Sequence, residues 1–403
     1  MDAQSDTDER SSRSKTVIVC ALGVTQIIAW GSSFYLLAVL APAIVRDTGW
    51  TYDRVVAGVS LGLLTAGLVS PRVGRLIARH GGRRVLGVGA LIFAVGFVAL
   101  GLAPNLIAYL AAWIVMGVGM GAGLYDAAFS TVGSIYGGKA RGVIAAVTLV
   151  GGFASTVCWP ISAFLVEHVG WRGACFAYAA VQIGIALPIH LLALPRPAKA
   201  VRAEAVHAET RLHRDEVLSF ALLAAAVTVG AAVLALVGTH LVAILQARGF
   251  TLSAAVALGM LIGPSAVGAR AVEMLAGRRY HPIWTMVASV LLVATAAAML
   301  LTGFRLVGLA IILYAGGNGI GTVARGTVPL ALFGAGRYPL LMGRLALPLM
   351  IAMAVSPFAG GLAFRYGGAE WTLALLMALA TLNVGLVGSL LLVTRGRRAA
   401  SAA

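Results

Sequence analysis

Twelve segments of the chain are almost wholly apolar, near residues 16–45, 55–77, 84–103, 106–134, 142–165, 173–194, 217–246, 252–276, 283–302, 306–331, 339–364 and 371–394. A helix needs about 20 such residues to cross the hydrocarbon of a bilayer. None of the segments alternates apolar and polar positions, which excludes the strands of a membrane barrel. Backbone groups in lipid have no water to bond, so each segment must satisfy its own hydrogen bonds as a helix. The pattern predicts an all-α membrane protein of 12 transmembrane helices joined by short polar connections.

Composition agrees: 60% of residues are hydrophobic and 11% charged, where soluble domains carry about 25% charged residues. A soluble fold of this length could not bury so much apolar surface. Glycine is abundant, at 50 residues, as expected where helices approach closely in lipid. Cys20, Cys158 and Cys175 lie within apolar runs, without metal-ligand spacing. They read as small packing residues, and neither a disulfide framework nor a metal site is expected.

The net charge of +16 raises the possibility of a nucleic-acid partner. The arginines, however, are dispersed in small groups between apolar runs and form no basic face, so no nucleic acid is expected. With the N-terminus inside, the inner segments hold 20 Lys and Arg residues and the outer ones 6. By the positive-inside rule both termini are cytoplasmic, in the inner (plasma) membrane. Residues 1–15 read as a disordered polar N-terminus and 395–403 as a cytoplasmic tail. The apolar run after residue 15 is too long for a signal peptide and lacks a small-residue cleavage site. The longest polar stretch, 195–216, contains Pro195 and Pro197 and reads as a linker between two six-helix bundles, 16–194 and 217–394.

The two halves resemble each other. Val132–Gly137 aligns with Val328–Gly334 with a one-residue slip, Pro160 with Pro357, and Gly170 with Gly367. Pro71-Arg72-Val73-Gly74 resembles Pro264-Ser265-Ala266-Val267-Gly268, and Gly82-Arg83-Arg84 matches Gly277-Arg278-Arg279. The matches recur in order at offsets of 193 to 197. Parallel repeats of this kind build one class of secondary transporter.

Between spans two and three the chain reads Gly74-Arg75-Leu76-Ile77-Ala78-Arg79-His80-Gly81-Gly82-Arg83-Arg84. This resembles the loop signature of the major facilitator superfamily, with Gly74, Arg75, Arg79, Gly81, Arg83 and Arg84 as the conformational signature residues. The resemblance implies a twelve-helix transporter working by alternating access. The family's aspartate, which holds the end of a neighbouring helix in one conformation, is replaced by Ala78. Trp113 stands where the family places an arginine early in span four. Both departures remove familiar mechanistic groups. Trp30-Gly31 with Tyr35, and Gly263-Pro264, resemble the monocarboxylate or oxalate–formate antiporter branch.

An ionisable group within a span costs at least ~2.5 kcal/mol at the bilayer centre, which marks it as a functional candidate. Asp126 and His240 are candidates for proton coupling, against anchoring and packing roles. Arg325 and Arg344 are candidates for attracting an anion, against snorkelling to the inner surface. Arg270 and Glu273 read as a structural pair one helical turn apart. Gln26, Trp30, Tyr35, Tyr125, Phe129, Trp159 and Asn318 complete a candidate substrate site of aromatic and polar groups. Each of these also has a plain reading as core or interfacial anchor.

No nucleotide-binding loop or metal cluster is present in the sequence, so neither an enzyme nor a cofactor is expected. The excess of arginine over acid within the spans favours a small organic anion or oxyanion, moved with protons or by exchange. The expected partners are a small-molecule substrate, the bilayer and protons, with the protein a monomer. Two alternatives are efflux of unrelated toxic compounds and a non-transporting membrane sensor.

Overall fold

The computed structural model describes the backbone of residues 2–196, 212 and 214–402. The expected linker, 195–216, lies largely outside the described residues. Among those residues every regular element is helical. They are α1 (Asp2–Gly31), α2 (Leu37–Thr48), α3 (Tyr52–His80), α4 (Gly82–Gly101), α5 (Leu106–Gly123), α6 (Tyr125–Tyr136), α7 (Arg141–Gly151), α8 (Ala154–Val181) and α9 (Leu187–Ala193). After these come α10 (Arg214–Ala247), α11 (Leu252–Gly259), α12 (Ile262–Ala276), α13 (Pro282–Leu301), α14 (Val307–Phe333) and α15 (Tyr338–Ala402). Helix α1 begins at Asp2, inside the polar stretch from which no regular structure was expected. Extending a helix already nucleated by an apolar run is far easier than starting one.

Eight helical stretches among the described residues are long and apolar enough to cross a membrane, and Lys15–Gly31 is a shorter apolar one. Two of the eight, Leu106–Ala193 and Tyr338–Gly396, run for 88 and 59 residues, too long for a single crossing. Backbone breaks divide them. Leu124 is extended, at φ −79° and ψ −176°. Gly170 adopts φ 71° and ψ 172° within α8, and Gly368 adopts φ 64° and ψ −157° within α15. Both glycine conformations are open almost only to a residue without a β-carbon. The repeat alignment set Gly170 against Gly367, but the second break falls one residue later. Gly367 instead receives the Trp371 ring against its backbone, where a side chain would collide.

Helix α4 shows why a bilayer suits these faces. Val88, Leu91, Val95 and Val98 are exposed on one side, while Leu86, Phe93, Phe97 and Leu100 are buried on the other. A helix apolar on every face belongs in lipid or a deep core. Lipid is as apolar as leucine, so helices there are held by close packing. Accordingly, a β-carbon added to Gly117 of α5 would collide with the Gly62 carbonyl of α3. Gly319 of α14 meets Ala266 of α12 in the same way.

Contacts divide the chain into two compact units, Met1–Ala208 with Gly334–Arg344, and Glu209–Phe333 with Leu345–Ala403. The start of span eleven, up to Arg344, thus packs with the first unit. Glycines explain this. Gly74 of α3 and Gly343 of α15 touch backbone to backbone, and the buried Tyr338 ring occupies the space left by Gly133 of α6. The second unit has its own core, including Leu236, Leu241, Val293, Tyr314, Leu373 and Leu376.

Candidate functional site

In the first unit the predicted residues gather where helices are interrupted. Span one breaks over residues 32–36, between α1 and α2, and span four breaks at Leu124, between α5 and α6. The second break diverts the backbone: the amides of Ala127 and Ala128 both bond to Leu124 O. Gln26 answers it from α1, donating through Nε2 to Gly123 O at 2.7 Å. Interrupted helices at mid-membrane are the best structural pointer to a transporter's binding site.

Six rings line this region. Trp30 lies 5.3 Å from Tyr125, 5.6 Å from Phe34 and 6.5 Å from Tyr35, centroid to centroid. Tyr125 stacks on Phe129 at 5.2 Å. Tyr35 meets Trp159 edge to face at 6.2 Å. The series runs from Phe129, fully buried, to Trp159, 44% exposed. Trp159 also lines a groove of about 450 Å³ between α2 and α8, with Ala38, Val39, Ser155 and Thr156. Phe34 was missed by sequence reasoning, because one aromatic among many apolar residues carries no signal.

Asp126 is buried, in the first turn of α6. A helix N-terminus is the end that accommodates a carboxylate, through its N–H groups and the macrodipole. Trp113 has a packing role. Its ring is fully buried and fills the space beside Gly58 and Gly62 of α3. The same space would not hydrate an arginine. Of the loop signature, Gly74, Arg75 and Arg79 lie in the last turns of α3, Gly81 makes the turn at φ 78°, and Arg83 and Arg84 open α4.

In the second unit α14 carries a polar stripe. Asn318, Thr322 and Arg325 are half-buried, while most of their neighbours from Tyr314 to Leu330 are buried. Their spacing of four and three residues sets them on one face. Asn318 Nδ2 donates to Tyr314 O at 3.2 Å and Thr322 Oγ1 to Asn318 O at 3.0 Å. Arg270 Nε donates to Gly319 O at 3.2 Å. Glu273, buried, accepts from Tyr280 Oη and from Thr285 Oγ1. His240 Nε2 lies 2.9 Å from Pro357 O, with its ring seated against Gly360. Arg344 is exposed and packs with the first unit.

At the connection after span one, Trp171 Nε1 donates to Asp47 Oδ2 at 2.9 Å, and Arg172 also bonds Asp47 while lying over the Trp171 ring. These two donors, Trp171 first, hold the Asp47 carboxyl below its ordinary range. Sequence reasoning missed this clasp, because its partners are far apart in the chain.

Long apolar helices, broken within their spans and packed through small residues, define a multi-pass membrane protein. The sequence profile of the Major Facilitator Superfamily matches residues 22–322, and the chain belongs to that family. Members of that family are transporters and not enzymes, and so is this protein. The chain is similar to an "Uncharacterized 38 kDa protein in 23S RNA operon" of Thermoproteus tenax, 30% identical over 159 residues. That match spans 39% of this chain and 41% of the relative.

The fold is shared with solved structures. The human organic anion transporter MFSD10 (TETRAN) superposes with a TM-score of 0.74 at 15% identity, over 93% of this chain and 99% of that one. The proton:xylose symporter XylE gives 0.73 at 11%, over 94% and 96%. The E. coli fucose:proton symporter FucP gives 0.68 at 15%, over 92% and 97%.

Proposed function

We propose that this protein is a secondary carrier of small organic anions. In this reading its twelve spans leave both termini in the cytoplasm of a cell whose inner (plasma) membrane it occupies as a monomer. The observation that carries the substrate class is the α14 stripe, in which Arg325 stands half-exposed on one face with Asn318 and Thr322. A guanidinium in a span is tolerated where it meets water or a partner, and such places mark substrate paths. The fold's likeness to an organic anion transporter agrees with this reading without establishing it.

Two coupling modes fit the side chains. Protons would be carried by Asp126 or His240, or anions would simply exchange. The test is uptake into liposomes of a carboxylate panel, with and without a pH gradient. Arg325→Ala is expected to raise the KM for the transported anion at least about tenfold, since a charge-assisted hydrogen bond is worth about 1.5–3 kcal/mol. Unchanged uptake and affinity in that variant would end the anion reading. A second reading, efflux of unrelated aromatic compounds, draws on the ring series ending at the exposed Trp159. A resistance assay with several such compounds separates the two.

A further inference from the structure

The first unit holds a buried donor and a buried acceptor, one helical turn apart on α1, that nothing among the described residues satisfies. Gln26 is fully buried and Trp30 is 7% exposed. Gln26 Oε1 and Trp30 Nε1 have no hydrogen-bond partner among the described residues. The orientation of the Gln26 amide is set by chemistry: Gly123 O can only accept, so the amide nitrogen must face it. The amide oxygen is therefore left over as an acceptor. The Trp30 indole can only donate. Leaving such groups bare costs about 1–3 kcal/mol each, and native interiors rarely do so without a reason.

One small chemical group carries the complement of both. A hydroxyl accepts from Trp30 Nε1–H and donates to Gln26 Oε1. An ionised carboxylate only accepts, and would set its charge against the Gln26 oxygen in a unit that already buries Asp126. The surroundings specify what carries the hydroxyl. Trp30 is flanked by Phe34, Tyr35 and Tyr125, and aromatic faces and edges prefer another ring. The rings next to Trp30 in the chain are less deeply buried. Phe34 and Tyr35 belong to the non-helical break between α1 and α2, and both are half-buried. Beyond Tyr35, Trp159 stands on the wall of the 450 Å³ groove, within the usual size range of small-ligand sites.

We infer that Gln26 and Trp30 together recognise the hydroxyl of a ring-bearing substrate, which makes the transported anion a hydroxylated aromatic acid. This rests on the reading of the protein as an organic-anion carrier. No covalent step is involved.

The test compares 4-hydroxybenzoate with benzoate in proteoliposomes holding the full chain, alongside the aliphatic anions acetate and oxalate. The wild type is expected to favour 4-hydroxybenzoate by at least tenfold in kcat/KM, as sites built to bond a substrate hydroxyl do. Trp30→Phe keeps a ring and removes the donor, and should bring that preference below about threefold. Equal handling of the two acids by the wild type, or a preference that survives in Trp30→Phe, would overturn the inference. Transport of acetate or oxalate but of neither benzoate overturns it too, while the organic-anion reading stands. Transport of none of the anions removes both. Should Trp30→Phe not reach the membrane, thermal stabilisation of the solubilised wild type decides. Stabilisation by 4-hydroxybenzoate and not by benzoate supports the inference, and equal shifts refute it.

Discussion

The side-chain amide of Gln26 donates to the main-chain carbonyl of Gly123, 97 residues further along the chain. One broken helix is thereby completed by another. Gln26→Leu keeps the volume and removes the donor. It leaves the Gly123 carbonyl bare but also deletes the unpartnered Gln26 Oε1, so the cost lies toward the low end of about 1–3 kcal/mol. Thermal unfolding of the purified variant should register a clear fall in midpoint. An unchanged midpoint would show that the break is held by other contacts.

Tyr338 and Gly133 form a matched knob and space, with the ring fully buried. Tyr338→Ala should cost roughly 3–5 kcal/mol, as other large aromatic truncations do. Gly133→Ala should also destabilise, because its methyl would collide with the ring. In the Tyr338→Ala background the same methyl enters empty space, so the double variant should be no worse than Tyr338→Ala alone. Simple additivity of the two losses would show that the residues act independently.

Gly170 and Gly368 test backbone strain by itself. A β-carbon at either meets nothing within 4 Å, so an alanine there clashes with no neighbour. What it forces is a backbone conformation costing about 1–3 kcal/mol for a residue with a side chain. Gly170→Ala and Gly368→Ala should each lower the unfolding midpoint, and neighbouring substitutions should not relieve the loss. Wild-type stability in both variants would mean that the helices are joined differently.

Asp47 supplies a pH dependence with a definite sign. Bonding to Trp171 and Arg172 depresses its pKa in the folded state, so the stability it contributes is present above the ordinary carboxylate range. That contribution disappears as pH falls through the depressed folded value. Melting in lipid nanodiscs between pH 6 and pH 3 should show an acid-dependent loss in the wild type that is smaller in Asp47→Asn. Parallel curves for the two proteins would remove Asp47 from the account. The carboxylate is exposed, so the effect is small and should shrink further in high salt.

The candidate residues could be named from the sequence for one reason: lipid makes polar and aromatic residues conspicuous. Gln26, Trp30, Tyr35, Tyr125, Phe129 and Trp159 could be named as a group because each interrupts or decorates an apolar run. The structure brings those six into one unit, and the five aromatic ones into one series of rings. Asn318 and Arg325 it sets together on α14 in the other unit. Arg344 belongs to the first unit, and His240 is engaged with Pro357. Arg270 and Glu273, read as a mutual pair, have further partners in Gly319, Tyr280 and Thr285.

The apolar pattern alone determined that the chain is a helical membrane protein, because a bilayer admits so few backbone arrangements. It located the breaks only loosely, since Leu124 looks like any other leucine in an apolar run. Tertiary structure decided which carbonyl Gln26 would meet, where the start of span eleven would pack, and that Trp113 fills a glycine-lined space. Those outcomes depend on residues far apart in the chain whose shapes fit only once the helices are assembled. Hydropathy is a property of each segment, and complementarity is a property of pairs.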